Sequence, residues 1–174
     1  HTRCSRDWSS DVCSSDLDFF DPGEWLFYGT SALAQQVAGS SLLTELMLDA
    51  VALAVGQALL FVLATRLTRS RLLGLAAAAF SVLLAPRPYS YPKILLYAVG
   101  LALAWRYLDG RRRSDLRWAA GFTALAFLFR HDHGAVLGLS IGLAVVLADW
   151  PEGLPVAGRR VLEFGALTAV LLLP

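Results

Sequence analysis

Four consecutive polar residues, Arg130, His131, Asp132 and His133, interrupt the apolar stretch "FLFRHDHGAVLG" at residues 127–138. An arginine forks onto a phosphate or carboxylate through two parallel N–H bonds, and an imidazole exchanges a proton near neutral pH. The group therefore suits binding of an anionic or polar ligand. Two other uses are open to it: a structural corner in which Arg130 pairs with Asp132, or metal ligation by His131 and His133. At i, i+2 the two rings face the same way only in an extended segment, and zinc needs further ligands that the sequence does not obviously offer.

A second group, "RPYSYPK" at 87–93, has a cation at each end and two tyrosines between two X-Pro bonds. Those bonds keep the backbone extended and out of helix. Arg87 and Lys93, flanked by Tyr89 and Tyr91, suit a phosphate held at a membrane surface; an aromatic belt with snorkelling bases accounts for the same residues. The third group is "DFFDPGEW" at 18–25, which brings Asp18, Asp21 and Glu24 together. Carboxylates so placed can act as a general base or hold a divalent metal, and a solvated loop is also often acidic. Glu45 and Asp49 fall early in an apolar run, where an ionisable group is costly unless it sits at the interface.

The elements that must position these groups follow from composition. Hydrophobic residues make up 56% of the chain and the mean hydropathy is +0.55, beyond the roughly 45–50% apolar content of soluble domains. Runs such as "LLGLAAAAFSVLLA" carry no charge on any face, so a soluble amphipathic helix is disfavoured. The expectation is an all-α, polytopic membrane bundle of about six spans. Their positions are 42–65, 72–86, 93–108, 118–130, 134–149 and from 161 onward. Several are short of the ~20 residues a crossing needs, a deficit that flanking Trp, Tyr, Lys and Arg can make up. Residues 25–39, half apolar and carrying Gln35 and Gln36, read as a helix lying at the interface. No basic face interleaved with aromatics supports nucleic-acid binding.

Residues 1–17, "HTRCSRDWSSDVCSSDL", stand apart: polar, Ser-rich and holding both cysteines, Cys4 and Cys13. The segment "DWSSDVCSSDL" looks like one reading frame of a common sequencing adapter and is set aside from fold reasoning. From Asp18 onward there is no cysteine, so no disulfide or thiolate metal site is expected. The remaining chain divides into an outer loop with its interfacial helix, 18–41, and a transmembrane helical domain, 42–174. The first residue is not Met and the last run is apolar to its end, so the sequence reads as a fragment open at both ends.

Basic residues orient the expected spans, because cytoplasmic corners hold the excess of Lys and Arg. The first, third and fifth corners hold three, five and two bases, against two and one in the second and fourth. The second and fourth corners, which are "APRPYSYPK" and "RHDHG", are thus expected outside, together with "DFFDPGEW".

The order of "DFFDPGEWLFYGTSALAQQVAG", a long span ending in "ATRLTRSR", then "RPYSYPKILLYAVGLALAWRYL" and "FLFRHDHG" resembles the GT-C superfamily of polytopic glycosyltransferases. The likeness is to the polyprenyl-phosphate-mannose type and its bacterial relatives. Residues Asp18, Phe19, Phe20, Asp21 and Pro22 match an outer-loop segment of that superfamily, and the resemblance covers nearly all of residues 18–174. It implies a multi-pass inner-membrane enzyme that transfers a sugar from a polyprenyl-phosphate donor to a glycan, lipid or protein acceptor on the extracytoplasmic face. Asp18 and Asp21 would then deprotonate the acceptor or position a metal, and the basic outer residues would hold the lipid phosphate. Glu24, Arg87, Tyr89, Tyr91, Lys93, Arg130, His131, Asp132 and His133 make up the expected substrate-binding set. No metal ligands are assigned, although a divalent cofactor is left open. The superfamily's principal acid lies upstream of the Asp-Phe-Phe segment, so this chain is expected to be inactive alone. A transporter or flippase of lipid-linked sugars is the alternative, and broken helices meeting near the midplane would favour it.

Overall fold

The computed structural model describes residues 25–84 and 92–173, and every regular element in them is helical. The helices are α1 (Trp25–Ala38), α2 (Leu42–Thr68), α3 (Arg71–Leu84), α4 (Pro92–Gly110), α5 (Arg113–Phe129), α6 (His131–Asp149) and α7 (Leu154–Leu172). A 3-10 turn at Trp150–Glu152 joins the last two.

Local chemistry explains the breaks. Gly39 takes φ 93°, a conformation that suits a residue without Cβ, and ends α1. Ser41 then caps α2, its Oγ accepting from the Thr44 amide at 3.2 Å. Proline stands in the first turn of α4 and of α7, where its missing N–H costs nothing.

The expected apolar runs coincide with α2, α3, α4, α5, α6 and α7, but three boundaries differ. Helix α5 starts at Arg113 instead of 118, and α7 at Leu154 instead of 161. Hydropathy finds only the apolar part of a helix. Arginine is a good helix former, so Arg113, Arg117, Arg159 and Arg160 extend the helix at its wet end. The third difference is at the "RHDHG" corner. The expected five-residue turn is one residue long: Arg130, extended at φ −160° and ψ 128°, separates α5 from α6.

Two segments, Leu42–Thr68 and His131–Glu152, are long and apolar enough to cross a membrane. Only 17% and 28% of their apolar windows are buried inside the protein, far less than a core helix of a soluble domain would show. Large apolar side chains also face outward on other helices, for example Leu72 at 80% and Leu162 at 74% exposure.

The helices run up and down. Gly74 of α3 packs on Phe61 and Thr65, and Ser81 accepts from Gln57 at 3.1 Å, so α2 and α3 are antiparallel. Between α4 and α6 the contacts advance together, Tyr97 with His133 and Gly100 with Leu137, so these two are parallel. Helix α5 is central to the packing: Leu116, Ala119, Ala120, Thr123, Ala124 and Ala126 are buried against α4, α6 and α7. Small residues on that face let the backbones approach closely. Thr123 and Thr168 hide their hydroxyls by donating to carbonyls one turn back, at 2.8 and 2.9 Å. Helix α1 lies on α2 and α5, joined to α2 by Ser31 and Gln35, which both donate to Glu45. Glu45 thereby has a structural role.

Candidate functional site

The start of α4, the end of α5 and the start of α6 meet at one end of the bundle, here the histidine end. Arg130 Nε donates to Asp132 Oδ1 at 3.2 Å, and the same oxygen accepts from the His133 amide at 2.9 Å. An acid in the first turn of α6 complements the positive end of the helix dipole. His133 is 6% exposed. Its Nδ1 lies 3.1 Å from the Tyr97 hydroxyl, with the two rings edge to face at 5.5 Å. If the phenol donates, the ring proton sits on Nε2. The charges of Lys93 and Arg130 both reach the His133 ring, and those of Asp132 and Arg130 reach Tyr97.

The structure thus brings together Lys93, Arg130, Asp132 and His133 from the expected set and adds Tyr97, which sequence reasoning had not singled out. It separates His131 from His133. Both lie in the first turn of α6, where i, i+2 positions fall on different faces, so His131 is exposed while His133 is buried. The extended segment that joint metal ligation required is absent. Among the described residues no cluster of three metal-ligating side chains occurs. Asp18, Asp21, Glu24, Arg87, Tyr89 and Tyr91 lie outside the described residues.

Below Tyr97 an apolar groove of about 270 Å³ runs between α4 and α6, walled by Leu101, Ala104, Trp105, Leu108, Leu137 and Ile141. Its polar lining residues are Tyr97, which meets His133, and Ser140, whose hydroxyl donates to the Val136 carbonyl. The groove is apolar along most of its length, and Tyr97 at its edge is the residue that connects it to His133.

The opposite end, the arginine end, holds a second polar cluster. Tyr107, 1% exposed, donates to Asp149 Oδ2 at 2.5 Å, and Arg111 Nη1 donates to Asp149 Oδ1 at 2.8 Å. Glu152 lies 3.4 Å from the same guanidinium, and Arg160 of α7 lies within charge range of Tyr107. Nearby, Arg106 Nε is 2.8 Å from the buried Asp115 Oδ1. That oxygen lies off the N–H axis, so the contact is an ion pair rather than an aligned hydrogen bond. These arginines were read from the sequence only as markers of the cytoplasmic side. An acid at the end of an apolar run, as in "AVVLADW", was the available signal for Asp149.

No family model matches the chain, and neither the curated proteins nor the solved structures give a match. The functional reading therefore rests on the sequence motifs and on this geometry.

Proposed function

We propose that this chain is the core of a polytopic inner-membrane glycosyltransferase of GT-C type, with α2 to α7 as spans and the histidine end facing the extracytoplasmic side. The donor is a polyprenyl-phosphate sugar and the acceptor a glycan, lipid or protein. One observation carries this reading: Tyr97, which lines an apolar groove, pairs with His133, and the charges of Lys93 and Arg130 reach that ring. That pairing of charge and hydrocarbon matches an isoprenoid phosphate. Arg130 and Lys93 neutralise the departing lipid phosphate, while Tyr97 and His133 orient it. Asp18 and Asp21 act on the acceptor hydroxyl as base or through a metal.

The transporter alternative has less support. Pro92, Pro151 and Pro155 fall at helix starts or in the 3-10 turn, so among the described residues no proline breaks the middle of a span.

The test is binding of an undecaprenyl phosphate to the full chain in nanodiscs. The expected result is that K93Q/R130Q weakens binding about tenfold or more, from loss of two charge-assisted contacts. Unchanged affinity would reject the phosphate role. Orientation is read separately, in a C4S/C13S background, from single cysteines at His131 and Ser70, both accessible at helix ends. An impermeant thiol reagent should reach the first from outside only and the second from inside only.

A further inference from the structure

At the arginine end a polar cleft of about 410 Å³ opens between α2, α4 and the start of α5, lined by Arg66, Arg106 and Arg112 with Asp109 and Asp115. The three guanidinium groups face two carboxylates, leaving one positive charge in excess. Arg66 reaches Asp109 at 3.2 Å, but both side chains are more than half exposed, so the pair is weak and easily shared. Arg106 uses Nε on Asp115, and its two terminal nitrogens make no hydrogen bond to the described residues. Arg112 is exposed, and it caps α5 without any side-chain acceptor for that helix's first N–H groups. Trp105 lies under Arg66, its ring centroid 5.9 Å from the guanidinium carbon, as an interfacial tryptophan would. Arg113 and Arg117 add further exposed positive charge beside the cleft.

We infer that this cleft binds the phosphate headgroup of an anionic phospholipid in the leaflet opposite the histidine end. A guanidinium fork, an uncapped helix start and an excess positive charge all select a phosphodiester. The position, between helices on the base-rich side, selects a lipid as its source. This inference rests on the membrane reading proposed above but not on the transfer reaction.

The test uses the full chain in nanodiscs of phosphatidylcholine doped with phosphatidylglycerol, followed by native mass spectrometry of the released protein. The wild type should keep phosphatidylglycerol in preference to phosphatidylcholine. R106Q/R112Q should lower its retention about tenfold, and R106K/R112K, which keeps the charge but loses the fork, should fall in between. R112Q alone, at an exposed position, gives the same reading if the double variant loses helical circular dichroism. Equal retention by wild type and R112Q overturns the inference. So does saturation by free inorganic phosphate without any preference between the two lipids, which would make the ligand a soluble anion. Undecaprenyl phosphate binding serves as the independent axis: a wild type that does not bind it but keeps phosphatidylglycerol counts against the transferase alone.

Discussion

The two ends of the bundle hold similar residues in different ways. At the arginine end, the buried Tyr107 and Asp149 and the partly exposed Arg111 form a network in which both Asp149 oxygens are matched. At the histidine end, Asp132 and Arg130 are half-buried and linked by one hydrogen bond at 3.2 Å, and His133 meets Tyr97 beside an apolar groove. A closed network stabilises, because removing one member strands the others out of water. A half-exposed cluster stabilises less, because water can take the place of a lost partner. The difference teaches that the same residue types in an apolar chain lock the fold where they are buried and stay reachable where they are not.

The sharpest way to break this contrast is Asp149→Ala. It strands the buried Tyr107 hydroxyl and frees Arg111, which is partly exposed, so the expected loss is roughly 2–4 kcal/mol. That loss should appear as a clear fall in the denaturation midpoint in detergent. His131→Ala, at the exposed position of the other end, should leave the midpoint unchanged. A midpoint insensitive to Asp149→Ala would mean that the arginine end is not the stabilising one.

Gly134→Ala comes next. The position of an added Cβ is occupied by the Phe127 ring and backbone, and such overpacking costs about 1–3 kcal/mol. The same thermal scan measures it. Tyr97→Phe keeps the ring and removes only the hydroxyl facing His133 Nδ1, at a cost of about 1 kcal/mol. Its larger effect should be on undecaprenyl phosphate binding. A change in stability without a change in binding would move Tyr97 from ligand to structure. The smallest effect is Arg66→Gln, which breaks an exposed pair with Asp109 and should cost below about 1 kcal/mol. Phosphatidylglycerol retention, rather than stability, is where Arg66→Gln should register.

Much of the helix placement was legible. Uncharged runs cannot be amphipathic surface helices, and Gly39 and the prolines at 92 and 155 punctuate them. Helix ends at Arg113 and Leu154 were not legible, because charged turns that continue a helix look the same as a corner. The one-residue joint at Arg130 was hidden for a similar reason: the residues of "HDHG" favour turns locally, and tertiary packing drew them into α6. The Tyr97–His133 and Tyr107–Asp149 pairs depend on the register of α4 against α6, which no single-helix pattern encodes. The acidic opening and the tyrosine-proline segment, Asp18 to Glu24 and Arg87 to Tyr91, stay as the sequence presents them, outside the described residues.

A joint of one residue leaves little chain to flex. With Phe127 filling the space where Gly134 lacks a side chain, α5 and α6 swing together as a stiff fork. Helix α3 rests on α2, and α2 in turn leans on α4, so that outer pair is carried by α4. A bulky guest that wedges α4 away from α6 therefore displaces the α2–α3 pair along with α4.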